Sequence, residues 1–378
     1  MPFAAAMSQH PLATHAVGEV VGEVLDQLGE RPDAAVVFVT GPFAGAMEDI
    51  AAAVRAMLEP GSLVGTSAAS VLAGDREVEG TAAISLFAMR FGPPRRFADE
   101  PLVRTIRFDD STSVEADLAG TLVLLADPFS FPVEGFLDDL TRRSRQLTVV
   151  GGLASAANGP GGNRLVADHA VFDDGAVGLV LPPGVGVTAV VSQGCRPVGE
   201  PLVVTRSTGN LIEEIAGRPA LDRLLGQAEA ATPEDRSRMA RSLQLGVAVD
   251  ERKVDFDRSD FLIRTVLGAD HARRAVAVGA DVEVGSTVQF HVRDATTADE
   301  DLRDLLADAR GDAALVFTCT GRGTALFPSP HHDATVLHQH LDGGAVAGMF
   351  SAGEIGPIGN RHFVHAMSAS ALLLDDLV

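Results

Sequence analysis

Tyrosine and tryptophan are absent from this chain of 378 residues, lysine occurs once, at Lys253, and cysteine occurs only at Cys195 and Cys319. A Schiff-base lysine, a P-loop lysine and a Tyr/Lys hydride-transfer pair each need an amine or phenol that such a chain hardly supplies. The two cysteines are far apart, with no Cys-x-x-Cys and no paired Cys/His spacing, so neither a disulfide framework nor a zinc ribbon is indicated. Positive charge is also short. Lys+Arg number 30 against 51 Asp+Glu, a formal net charge of −21, and such a surface repels phosphate backbones and anionic lipid. Nucleic acid and membranes are therefore not expected partners. The N-terminus has no basic n-region or long apolar core, and no apolar run is long enough to span a bilayer, so a cytoplasmic location is expected.

What is present describes a globular α/β chain. Hydrophobic residues make up 46% and charged residues 21%, enough to bury a sizeable core, and the length suggests two domains or one large duplicated one. The spacing of Val17 to Leu28, ending at Gly29, predicts a covering helix. A buried strand, Asp33 to Thr40, turns at Gly41-Pro-Phe into a helix from about Ala44 to Leu58, and a strand from Ser62 leads into Gly65-Thr-Ser-Ala-Ala-Ser70. Thr81 to Phe91 closes the segment. The order returns: Leu122-Val-Leu-Leu-Ala-Asp-Pro-Phe129 matches Val36-Val-Phe-Val-Thr-Gly-Pro-Phe43, and counting on without a gap brings Gly65 onto Gly151. It returns again at Asp312-Ala-Ala-Leu-Val-Phe317, with a helix near Asp333 to Leu341 and then Ala347-Gly-Met-Phe-Ser-Ala-Gly353. Repeated βαβ-type units are the expectation. Between the second and third units the pattern predicts a Pro/Gly-set loop at Gln193 to Pro201, a helix at Leu211 to Ile215 capped by Asn210, a helix over Pro219 to Gln227, and an exposed linker at Ala230 to Arg238. Strands follow at Phe261–Leu267, Ala275–Val278 and Ser286–Arg293, then a helix over Asp294 to Asp308.

The third unit concentrates the chemistry. Leu315-Val-Phe-Thr-Cys-Thr-Gly-Arg-Gly323 and Val346-Ala-Gly-Met-Phe-Ser-Ala-Gly-Glu-Ile-Gly-Pro357 are apolar runs that stop at glycines carrying one charge each. An Arg fork suits a carboxylate and a Glu suits an amine, so Arg322 and Glu354 could hold an amino acid or similar zwitterion; an Arg322–Glu354 ion pair locking the two loops is the plainer alternative. Gly321-Arg-Gly323 has Leu326 where a dinucleotide fingerprint needs its third glycine. Cys319 could be a thiol activated by Arg322 or a small buried hydrophobe. His331, His332, His338, His340, His362 and His365 crowd this unit, read as solvent-exposed residues, with a metal or haem ligand as the alternative.

At these residues the sequence resembles the FIST family of bacterial and archaeal sensory domains. The resemblance runs from about Pro32 to Leu374. It is carried by Val64–Ser70, Gln193–Pro201, Phe261-Leu-Ile-Arg264, Gln289-Phe-His-Val-Arg-Asp294, Cys319–Gly323 and Gly353–Pro357, although Ala69-Ser70 lack the Gly-Glu the family often has there. Beyond the covering helix already read within 1–31, it implies a FIST N-terminal domain at 32–197 and a FIST C-terminal domain at 198–378: two packed α/β halves of layered sheets and flanking helices. It further implies a stand-alone bacterial member that binds a small ligand, an amino acid or other small carboxylate, and signals through a separate protein. The expected ligand-binding residues are Arg264, Arg293, Cys319, Arg322, Ser351 and Glu354, with no catalytic residue, metal or cofactor. Two alternatives stand beside this: a haem-binding nitric-oxide sensor, and an enzyme with Cys319 as nucleophile.

Overall fold

The computed structural model describes residues 2–91, 103–109, 118–144, 146–253 and 255–375. They form two compact units. The first comprises Met1–Ser192, Leu302–Val364 and Ser368–Val378, the second Gln193–Asp301 and His365–Met367. This is a division by compactness, whereas 32–197 and 198–378 divide the chain by sequence.

In chain order, the first unit opens with strand β1 (Phe3–Ser8) and helix α1 (Ala13–Leu28), then β2 (Ala34–Thr40), α2 (Met47–Leu58), β3 (Ser62–Ala68), the hairpin β4 (Ser70–Ala73) and β5 (Arg76–Glu79), and β6 (Ile84–Met89). It continues with β7 (Arg104–Phe108), β8 (Gly120–Ala126), α3 (Val133–Arg143), β9 (Leu147–Leu153), the hairpin β10 (Leu165–Ala167) and β11 (Ala170–Phe172), β12 (Ala176–Leu181) and β13 (Val187–Gln193). The second unit holds β14 (Cys195–Thr208), β15 (Leu211–Ile215), β16 (Arg218–Pro219), α4 (Ala220–Ala230), α5 (Pro233–Ser242), β17 (Leu243–Ala248), β18 (Phe261–Asp270), β19 (Ala275–Val278) and β20 (Thr287–Arg293). After α6 (Ala295–Ala307) come β21 (Ala313–Cys319), α7 (His332–His340), β22 (Ala345–Ser351), the pair β23 (Glu354–Ile358) and β24 (Arg361–His365), and β25 (Ser368–Leu374).

Three segments share one pattern. β2 and β3, β8 and β9, and β21 and β22 are parallel pairs joined through a helix, and each first strand also pairs antiparallel with a closing strand, β6, β12 or β25. The hairpin after each second parallel strand crosses to another segment's sheet: β4 pairs with β22, β10 with β3 and β23 with β9. Each sheet is thus completed by a neighbour, and no segment can close its own edge.

One face of each sheet feeds a shared core that includes Val36, Phe38, Val64, Val123, Leu125, Val150, Leu315, Phe317 and Met349. The opposite faces pack on their own helices: Val37 and Leu63 with Val20 of α1 and Val54 of α2, Leu124 and Val149 with Phe136 of α3, Val316 and Val346 with Leu337 of α7. The period of two along each strand sorts residues between these layers.

Gly65, Gly151 and Gly348 occupy matching places, opposite Val166, Ile355 and Leu72 of the incoming hairpins. A Cβ there would stand 2.4 Å from Val37 O, 1.9 Å from Leu124 O and 2.0 Å from Val316 O. Backbone cannot yield as a side chain can, so Gly151→Ala and Gly348→Ala are each expected to destabilise by at least ~1–3 kcal/mol, read as a lower thermal midpoint. Gly22→Ala is the control: it lies in α1 with nothing within 4 Å of the added carbon, and should stabilise by up to ~1 kcal/mol.

The second unit is a seven-stranded sheet among the described residues, ordered β14-β20-β17-β18-β19-β15-β16. Three expectations fail here. Leu211–Ile215 is strand β15, held by β14 and β19, and Asn210 donates its side-chain amide to Val278 O instead of capping a helix. Gln193 to Pro201 is not a loop: β14 runs through it, with a register shift between Val198 and Leu202 that absorbs Gly199 and Pro201. Ala230 to Arg238 is largely exposed, as expected, but is not a linker, because α5 starts at Pro233, and the Thr232 side chain accepts the Asp235 N–H as its cap. Strand β1 is a further feature the sequence reading lacks; it pairs along its whole length with β6.

Candidate functional site

Cys319 and Ser351 end adjacent parallel strands and face each other in register. After β21 the chain turns tightly: Arg322 N–H donates to Cys319 O at 2.8 Å, Gly321 N–H to Cys319 Sγ at 3.4 Å, and Thr320 N–H to Ser351 O at 3.0 Å. Gly323 has φ 53°, and a Cβ there would meet Glu79 and Phe350 at 2.8 Å, so glycine is required by both conformation and space. This turn drives Arg322 inward, where it is wholly buried.

The partner of Arg322 is Asp333, not Glu354. Nε and Nη2 donate to the two Asp333 oxygens at 2.7 Å each, a bidentate fork. Thr318 Oγ1 donates to the same carboxylate at 2.6 Å, and His332 Nδ1 lies 2.9 Å from it. Burial works against the Asp333 charge, yet Arg322 outweighs it and holds the carboxyl well below its usual range. The guanidinium also lies over the Phe327 ring, 5.2 Å from its centroid, and that ring stacks on His332 at 3.5 Å.

Glu354 is fully buried, and Oε2 accepts the Ser368 hydroxyl at 2.8 Å and the Ser368 N–H at 3.2 Å. Burial pushes its pKa to about 8, against the Ser368 bonds, the Arg322 charge and a bond from Cys319. Glu354 pairs with Gly152 of β9, and the missing side chain of Gly152 leaves space that Ser351 Oγ fills, 2.3 Å from where a Cβ would stand.

Three buried polar atoms of this cluster lack a hydrogen-bond partner: Arg322 Nη1, Ser351 Oγ and Glu354 Oε1. Each such atom costs about 1–3 kcal/mol of desolvation unless something bonds to it. One strong donor, one hydroxyl and one carboxyl oxygen match a small molecule carrying both an acceptor and a donor.

Of the six residues expected to bind ligand, Cys319, Arg322, Ser351 and Glu354 share the first unit; Arg264 and Arg293 belong to the second. In the second unit they lie on opposite faces of the sheet. Arg264 is in register with Leu245, which is in register with Phe290, whereas Arg293 is three residues beyond Phe290 on β20 and faces the other way.

The sequence reading missed Asp333 and the acidic hairpin strand β5. Glu77 is buried, accepts the Ala334 N–H at 3.0 Å, and is raised to about 7 by burial and by the Asp333 charge. Glu79 accepts both the N–H and the hydroxyl of Thr324 at 3.0 and 2.8 Å. No local pattern announces contacts across some 250 residues; only the exchanged hairpin creates them.

The six histidines expected to be exposed, His331, His332, His338, His340, His362 and His365, are half-buried or buried. His331 accepts the Glu77 N–H, His338 pairs with Gly344 O and His340 with Ala309 O, and His362 lies against Thr141. Among the described residues no group of three or more His, Cys, Asp or Glu could hold a metal ion, and no helix is long and apolar enough to cross a membrane.

A model of the FIST N domain matches residues 33–218 and a model of the FIST C domain matches residues 219–357. An uncharacterized protein of Mycobacterium tuberculosis strain H37Rv is 38% identical over 391 residues, covering 100% of both chains. An uncharacterized protein of Mycobacterium bovis is 38% identical over 382 residues, covering 97% of each.

Proposed function

This chain belongs to the FIST family, and on that premise we propose that it is a cytoplasmic sensory module that binds an amino acid or other small carboxylate and acts through a separate partner protein. The family is one of sensory domains associated with signal transduction and small-ligand binding rather than a family of enzymes. The observation that carries the reading is the trio of buried, partnerless atoms Arg322 Nη1, Ser351 Oγ and Glu354 Oε1. The Arg322 fork is spent on Asp333 through Nε and Nη2, so the ligand carboxylate takes the N–H donors of Nη1 together with the Ser351 hydroxyl, and a ligand amine facing Glu354 draws it into the ionised form that burial otherwise disfavours. Ligand binding at this cluster bears on two of the three sheets, because β21 and β22 belong to one and the exchanged strand β23 to another. We read the three alike segments as internal repeats, of which only the third carries this set of side chains.

A thermal-shift screen of amino acids and small carboxylates tests the reading. A binder should stabilise by mass action, ~2.7 kcal/mol at a hundredfold excess over Kd. Ser351→Ala should retain the fold and reduce that shift at least tenfold in apparent affinity. Equal shifts in both proteins would remove Ser351 from the site.

A further inference from the structure

A second set of unsatisfied groups lies in the other unit, on the face of its sheet that carries His291. Gln244 of β17 and His291 of β20 are directly opposed, and they are 3% and 0% exposed. His291 Nδ1 stands 3.0 Å from Gln289 O. A carbonyl can only accept, so Nδ1 bears the proton and Nε2 presents its lone pair. Nε2 has no partner, nor has Gln244 Oε1. Burial pushes the imidazole down to about 4, so it stays neutral near pH 7.

The ring has a prepared seat. A Cβ on Gly246 would stand 2.5 Å from His291 Cε1, so this strand position is kept bare for the imidazole. Phe261 packs against the same ring, with centroids 5.4 Å apart. The Phe261 carbonyl accepts from Gln193 Nε2 at 3.4 Å, which fixes the orientation of that amide and leaves Gln193 Oε1, on a residue 4% exposed, without a donor. Flipping the amide would set oxygen against oxygen.

The patch therefore offers three buried acceptors, Gln193 Oε1, Gln244 Oε1 and His291 Nε2, none of them bonded to a donor. All three groups are uncharged, so none of them offsets the charge of a metal dication or a free ammonium brought into this buried place. We propose that this face is a second ligand site, for an uncharged molecule bearing several N–H donors, of the urea, carboxamide or nucleobase class. It shares no residue with the Arg322 cluster, so either site stands if the other fails.

Two measurements on the full chain test it together. Gln244→Met and His291→Phe remove acceptors that cost stability while unfilled, so the ligand-free variants should melt no lower than wild type. Calorimetric titration with uracil, adenine, hydantoin and allantoin should find a binder for wild type. Both variants should lose at least tenfold in affinity for it, and Ser351→Ala should lose none. The proposal is overturned if Gln244→Met melts lower than wild type, as it would if these acceptors were held by permanently ordered water. It is equally overturned if no compound in the panel binds, or if zinc binds more tightly than any of them.

Discussion

Replacing Asp333 by alanine should lower the stability of the protein by about 3–5 kcal/mol, the cost of breaking a buried ion pair from one side. Arg322 would then keep its charge with neither exposure nor a counter-ion, since the side chain is 0% exposed and both fork bonds go to Asp333. The cost falls on the uncompensated charge rather than on the pair. The double variant Arg322→Met/Asp333→Leu should therefore recover most of the loss. Chemical denaturation midpoints of the three proteins measure this. A double variant no more stable than Asp333→Ala would mean that the pair, and not the orphaned guanidinium, holds the two loops together.

The second large effect is on pH. Glu354, raised to about 8 chiefly by burial, holds in the folded state a proton that the unfolded chain releases near 4.5. A raised carboxyl contributes stability that is complete below the unfolded pKa and is lost as pH rises through the folded one. Glu77, raised to about 7 by burial and the Asp333 charge, acts with the same sign. The unfolding free energy should thus fall between roughly pH 5 and pH 8, at up to about 1.4 kcal/mol per pH unit for each group. Glu354→Gln keeps the shape of the protonated acid and cannot ionise. Its stability curve should be flatter over the same window, and it should overtake wild type at the alkaline end. A wild-type curve that rises across this window would show Glu354 to be charged in the fold.

Where the sequence was sufficient, the signal was local and repeated. The gapless match of Leu122–Phe129 to Val36–Phe43 places two parallel strands, and the stop at Gly29 marks the end of α1, where the glycine adopts the left-handed conformation. The Leu211–Ile215 strand failed because a short run of apolar and acidic residues has no period long enough to separate helix from strand, and pairing on both sides decided it. Thr232-Pro-Glu-Asp235 did carry the marks of a helix start, a capping hydroxyl, a proline in the first turn and two acids, but polarity made it resemble a linker. At the site, Arg322 and Glu354 were legible as charges set among glycines. Their partners were not. Asp333 lies across a turn whose length conceals the fork, and Glu77 arrives on a hairpin borrowed from the first segment.

The most direct test of the small-ligand reading is a crystal structure with the strongest binder from the amino-acid and carboxylate screen. The expected result is a ligand whose carboxylate accepts from Arg322 Nη1 and Ser351 Oγ and whose donor meets Glu354 Oε1, with the Arg322–Asp333 fork intact. A ligand seated away from these atoms, with Arg322 Nη1 and Glu354 Oε1 bonded to water or to each other, would contradict it.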